Sequence, residues 1–160
     1  MTGRKSRLHY PRTRLAGLLA RTQGRSRTEA IRDGARALEA QRPVAMAALD
    51  ALIAGLEAGP MARSRMTDMA RDADRIVTLA QGFGLFPLAD AARRLCDVTA
   101  LLTGRDTFDA AALDVHIRAL RLFAPGSPLL DDAQAAMVLG RIAALAAHVA
   151  HQERAPLPGR

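Results

Sequence analysis

Two apolar stripes of helical spacing, separated by Gly82-Phe83-Gly84-Leu85-Phe86-Pro87, constrain this chain more than any other feature. Leading into that hexapeptide, Met66, Met69, Ala70, Ala73, Ile76, Val77, Ala80 and Phe83 recur three and four residues apart. This spacing gathers side chains on one side of a helix. After it, Leu88, Ala91, Ala92, Leu95, Val98 and Leu102 make a second stripe. Glycine supplies the backbone freedom that ends a helix. Pro87 suits the first turn of the next one, where a missing N–H costs nothing. The segment predicts two helices, roughly 61–83 and 87–103, joined by a tight elbow.

The rest of the chain extends the same pattern. Alanine and leucine dominate, β-branched and aromatic residues are scarce, and no stretch alternates as a strand does, so the fold class is all-α. Ser26-Arg27-Thr28-Glu29 has the form of a capping box, and a helix should follow it with Ile31, Ala35 and Leu38 facing inward. Pro43 makes residues 27–41 and 43–58 either two helices or one bent one. The second piece carries the stripe Met46, Leu49, Leu52, Ile53 and Leu56, and it ends at Gly59-Pro60. Gly104 closes the helix 87–103, and Asp106 or Thr107 can cap a helix over about 108–123. Gly126 then breaks the chain, Ser127 caps, and Pro128 starts a last helix to about 151. Helices 43–58, 61–83, 87–103 and 108–123, joined by short connections, predict an antiparallel four-helix bundle with extra N- and C-terminal helices. The organisation expected is a disordered basic arm over 1–25, a helical domain over 26–152 and a frayed tail over 153–160.

Charge is divided unevenly. Residues 1–28 hold eight basic residues and no acid, whereas the remaining 132 hold fifteen basic and sixteen acidic ones, a net of −1. An arm of this kind attracts nucleic acid, an acidic membrane surface or an acidic protein. It also has the composition of an organelle transit peptide, and its apolar run Leu15–Ala20 is too short for a secretory core. No uninterrupted apolar run of about 18 residues is read from the sequence, so no membrane span is expected. The nearest stretch, Ile142–Ala150, is short and interrupted by His148. Cys96 is the single cysteine, which excludes an internal disulfide and fits a reducing compartment; a cytoplasmic location is expected. Its place beside the apolar stripe suits a buried small hydrophobe.

The elbow and its flanks resemble the central hairpin of histidine phosphotransfer (HPt) domains. There a helix bearing His-x-Leu-Lys/Ala-Gly is followed by a Phe/Leu-Gly-Leu/Ala elbow and a leucine- and alanine-rich helix. Setting Phe83-Gly84-Leu85 on that elbow places Asp74 at the phosphoacceptor position and Ile76 on the motif leucine. Val77 then stands for lysine or alanine, and Thr78 for the glycine. A second register, pairing Gly82 with the motif glycine, puts Thr78 at the acceptor position and loses the elbow. Neither register supplies a histidine. The resemblance implies the HPt fold without its usual phosphotransfer chemistry. Leu95-Cys96-Asp97, the segment Asp114–Leu122, and Arg14-Leu15-Ala16 leading to Thr28-Glu29-Ala30 are also similar to CheE-like proteins of bacterial chemotaxis clusters. That likeness implies a small cytoplasmic protein that works with partner proteins.

Thr67, Arg71, Asp74, Thr78 and Gln81 lie three or four apart beside the apolar stripe, with Arg75 adjoining them. On the HPt resemblance this strip is the face that would dock a response-regulator receiver domain or another chemotaxis component. As an ordinary solvated face it would pair Asp74 with Arg71. A non-catalytic signalling adaptor is the leading expectation. The alternatives are a phosphotransfer protein using Asp74 or His116 as acceptor, and a nucleic-acid-associated protein using the basic arm. His116 falls within an apolar arc formed with Leu113, Leu120 and Phe123, where a half-buried, hydrogen-bonded histidine is expected. His148 and His151 lack the cysteine or acid cluster that would complete a metal site. Asp90 with Arg94, and Arg93 with Asp97, form pairs four apart that support their helix. No glycine-rich phosphate loop, nucleophile elbow or carboxylate pair occurs. Neither enzymatic activity, nor a cofactor, nor a small-molecule substrate is expected.

Overall fold

A computed structural model describes residues 26–104, 108–128 and 130–151. The described residues are helical, without strands, in five helices: α1 (Arg27–Ala58), α2 (Met66–Gly82), α3 (Phe86–Thr103), α4 (Ala110–Leu122) and α5 (Asp132–His151). A single 3₁₀ turn, Arg63–Arg65, leads into α2. The expected arm and tail lie outside the described residues, as do Asp106 and Thr107. The chain divides into two compact units, Met1–Ala40 and Gln41–Arg160.

In the first unit the described residues are the beginning of α1. The Ser26 amide donates to Glu29 Oε2 at 2.8 Å, and the Glu29 amide donates to Ser26 Oγ at 3.2 Å. This reciprocal pair satisfies two donors that helix geometry leaves open. It also holds the Glu29 carboxyl below its ordinary pKa, chiefly through the Ser26 amide. Ile31 and Leu38, expected to face inward, are 62% and 48% exposed, and Ala35 is exposed too. The periodicity is real, but no described residue lies over it.

The second unit begins in the same helix, which runs through Pro43 without interruption. Of the two readings of that proline, one continuous helix is correct. Leu49, Ile53 and Leu56 are completely buried. They join Met69, Ile76, Leu88, Leu95, Leu102, Leu113, Ile117 and Leu120 in one core. Arg65 lies across the turn after α1, donating to the carbonyls of Pro60 at 3.3 Å and Gly55 at 3.4 Å. The last turn of α1 has no basic residue of its own, and this guanidinium meets the carbonyls left open there.

The elbow explains itself in hydrogen bonds. The Leu85 amide donates to the Ala80 carbonyl at 2.8 Å and the Gly84 amide to the Gln81 carbonyl at 3.2 Å. Gly84 has φ +75°, the left-handed value that glycine alone adopts without penalty. This is the Schellman arrangement that closes a helix C-terminus. Arg42 lies 5.6 Å from the Phe83 ring centroid, a cation–π contact beside the elbow.

α2 and α3 form the most extensive helix pair; α3 also packs on α4 and α5, and α4 packs on α5. Small side chains explain the intimacy of the first pair. Ala73 and Ala80 on α2, and Ala89, Ala91 and Ala92 on α3, are all buried. Buried alanines let neighbouring helix axes approach closely.

Several boundaries differ from expectation. The α4 cap is Asp109, whose Oδ1 accepts from the Ala112 amide at 2.9 Å, in place of Asp106 or Thr107. α5 starts at Asp132, and its capping box is Asp131 with Gln134, with reciprocal bonds of 2.7 and 3.0 Å. Ser127 does not cap α5; its hydroxyl donates to the Arg121 carbonyl at 2.6 Å and finishes α4. An Asp-x-x-Gln box outcompetes Ser-Pro because it satisfies two donors rather than one.

α5 also corrects the expectation about apolar length. Its 20 residues, with a mean hydropathy of 1.4 over an 18-residue window, are long and apolar enough to cross a membrane by length and composition. Only Ile142 and Val149 of this helix are buried.

Arg121 fastens α4 to α1. Its guanidinium donates to both oxygens of Glu57, the nearest contact at 2.5 Å, and to Asp50 Oδ1 at 2.5 Å. The Arg121 hydrogen bond holds the Glu57 carboxyl below its ordinary range. A depressed carboxylate stabilises the fold above its unfolded pKa and loses that contribution as pH falls through the folded value. Arg121→Ala is expected to cost about 1 kcal/mol or less at neutral pH, since the pair is partly solvated. The gap between variant and parent should narrow below the carboxylate range, which urea titrations across pH would measure.

Candidate partner-docking face

The polar strip anticipated on α2 stands on the outside of the molecule. Thr67, Arg71, Asp74, Arg75, Thr78 and Gln81 are all exposed, while Met66, Met69, Ala73, Ile76 and Ala80 of the same helix are buried. The three-and-four spacing of the apolar set leaves the polar set no other side.

Its internal pairing differs from the simple expectation. Arg71 does not turn to Asp74; it pairs with Asp68 at 2.9 Å, and Arg75 pairs with Asp72 at 3.3 Å. Both are one helical turn apart with the acid first. The Asp74 carboxylate takes no hydrogen bond or ion pair among the described residues. Its main-chain carbonyl accepts from the Thr78 hydroxyl at 3.1 Å. The strip therefore presents an uncommitted carboxylate among arginines already neutralised along the helix.

Grooves lie on both sides of this ridge, and Asp74 belongs to each. One, of about 520 Å³, is bounded by Asp74 and Val77 of α2, by Asp90, Arg93, Arg94, Cys96 and Asp97 of α3, and by Leu139 of α5. The other, of about 440 Å³, is bounded by Ala48 and Leu52 of α1 and by Asp74, Arg75, Thr78 and Leu79 of α2. Arg93 pairs with Asp90, and Arg94 lies 3.7 Å from Asp97. These pairs are three residues apart, where pairs four apart were expected. The sequence reading missed that this charged α3 face borders the same groove as Asp74. The spacing of Asp90, Arg93, Arg94 and Asp97 already put them on one side of their helix.

Cys96 is half-buried between the two helices, its thiol 3.9 Å from the Ala70 carbonyl. Burial pushes the thiol pKa up, and the nearby carboxylates of Asp74 and Asp97 push it further. It is a packed thiol rather than a reactive thiolate.

His116 is fully buried, not half-buried. Its Nδ1 lies 2.7 Å from the Ala112 carbonyl, and its Nε2 has no partner among the described residues. A histidine enclosed in this way offers no nitrogen to a phosphoryl donor. His151 Nδ1 lies 2.8 Å from the Ala147 carbonyl, a bond within its own helix. Among the described residues, no three histidine, cysteine or acidic side chains are placed to hold a metal ion.

No protein-family description, curated protein or solved structure matches this chain.

Proposed function

We propose that this protein is a non-catalytic signalling adaptor of HPt-like design, a four-helix bundle whose α2 ridge docks a response-regulator receiver domain or another component of bacterial chemotaxis or two-component signalling. One observation carries the reading. Asp74, at the position where the resembling family places its phosphoacceptor, is exposed and unpaired on a ridge between two grooves. The Phe83-Gly84-Leu85 elbow that sets this register is a formed turn joining two closely packed helices. A carboxylate in place of the imidazole keeps the shape of a docking surface and removes the nucleophile. An aspartate accepts phosphate in receiver domains with help from a metal and a lysine; the grooves beside Asp74 are lined by no lysine, and among the described residues its acidic neighbours Asp90 and Asp97 are not placed with it to hold a metal ion. On this reading the protein works in the cytoplasm through protein partners, without a cofactor or small-molecule substrate.

The combined replacement Arg71→Ala, Asp74→Ala and Thr78→Ala is expected to weaken receiver binding by about tenfold or more, as loss of central interface residues does. All three are exposed, so stability should change little. Titration against receiver domains from the same genome, followed by calorimetry, measures both. Affinity indifferent to the triple variant, or label retained after incubation with a phosphorylated receiver, would end the adaptor reading.

A further inference from the structure

The arginines that border Asp74 are already engaged. On α2, Arg71 pairs with Asp68 and Arg75 with Asp72; on α3, Arg93 pairs with Asp90 and Arg94 with Asp97. The groove between α2, α3 and α5 is lined by three carboxylates, of Asp74, Asp90 and Asp97, and by two guanidiniums, of Arg93 and Arg94, so its charge is −1. Asp90 and Asp97 are neutralised by their own pairs, and the surplus sits on Asp74. Arg71, one turn away on the same helix, is the local cation that could have met it, and it turns to Asp68 instead.

Below these charges the groove is apolar. Val77 of α2, Cys96 of α3 and Leu139 of α5 are partly buried and packed against the core. At about 520 Å³ the groove falls in the size range of clefts that enclose a small ligand. An apolar floor under one uncommitted carboxylate matches a side chain with an aliphatic stem and a cationic head.

We propose that this groove seats an arginine side chain of the docked partner, its stem on Val77 and Leu139 and its guanidinium on Asp74. The inference deepens the docking reading of the α2 ridge, and its choice of a protein partner rests on that reading. Arginine fits better than lysine on two counts. A guanidinium is more weakly hydrated than an ammonium, so it loses less on leaving water for an apolar floor. Its planar fork also carries five donors. Burial first, and then the carboxylates of Asp74 and Asp97, raise the Cys96 thiol pKa, so the two acids act on one part of the groove and a fork can meet both.

The test is an NMR titration of the full-length protein with N-acetyl-arginine amide, and in parallel with N-acetyl-citrulline amide, which has nearly the same shape without the charge. The arginine probe is expected to shift the amides of Val77, Cys96 and Leu139 and to saturate in roughly the millimolar range, with the citrulline probe about tenfold weaker. Asp74→Asn, which keeps the shape and removes the charge, should weaken both the arginine probe and a receiver domain by about tenfold, and added salt should narrow that gap. Receiver binding that is lost in Arg71→Ala with Thr78→Ala but indifferent to Asp74→Asn would overturn the arginine seat and leave the adaptor reading intact. Arginine captured in the groove with no receiver bound would instead overturn the adaptor reading alone. Equal shifts from the two probes would overturn the proposal. Shifts of these amides with protein concentration alone would overturn it too, by assigning the groove to a second copy.

Discussion

Truncating Leu95 to alanine is expected to lower the free energy of unfolding by about 3 kcal/mol, within the range seen when a buried leucine loses its branch. Leu95 is completely buried and belongs to the cluster that includes Ile76 of α2, Leu113 of α4 and Leu49 of α1. Its helix packs against α2, α4 and α5, so a cavity here removes contacts from several neighbours at once. Collapse around the gap would require several helices to move together, which close-packed interiors resist. Urea unfolding should show a lower midpoint with an unchanged slope. Leu122, 47% exposed on α4, is the control: Leu122→Ala should change stability by about 0.5 kcal/mol or less. Equal effects at the two positions would contradict the core described above.

His116→Leu is expected to raise stability, by about 1 kcal/mol. The imidazole is fully enclosed, with Nδ1 placed to donate to the Ala112 carbonyl and Nε2 left as an acceptor without a donor among the described residues. Leaving a polar atom dry and unpaired costs about 1–3 kcal/mol. The bond at Nδ1 offsets little, because the Ala112 carbonyl is also the acceptor of its own helical turn. Leucine has nearly the same volume and a strong helix preference, and it joins Leu113, Ile117 and Leu120 without a polar atom. His116→Ala, which removes the volume along with the polarity, should be destabilising. The opposite order, with leucine less stable than histidine, would mean that Nε2 does have a partner.

What could be read in the sequence divides along a physical line. Helix existence was legible wherever apolar spacing was long and regular, as in α2 and α3, because burial of a stripe decides those segments. The elbow was legible because Gly84 sits at a backbone conformation that other residues avoid. The outward placement of Asp74 followed from the same periodicity. Cap positions at α4 and α5 were not, since Asp106, Thr107, Asp109, Ser127 and Asp131 are all competent caps and tertiary context chooses among them. The α1 stripe was misjudged because periodicity says which side is apolar and not whether anything lies against it. The grooves flanking Asp74 were hidden because they join residues from helices distant in the chain. The apolar length of α5 was underestimated by treating its few polar residues as breaks.

The alanines shared by α2 and α3 carry a consequence for the outer surface. Ala73 immediately precedes Asp74 in the chain and is completely buried beneath the ridge. A bulkier residue at that spot would act as a shim, prying the rods apart and tilting the ridge from within. Affinity for any visitor could then be tuned by residues it never meets.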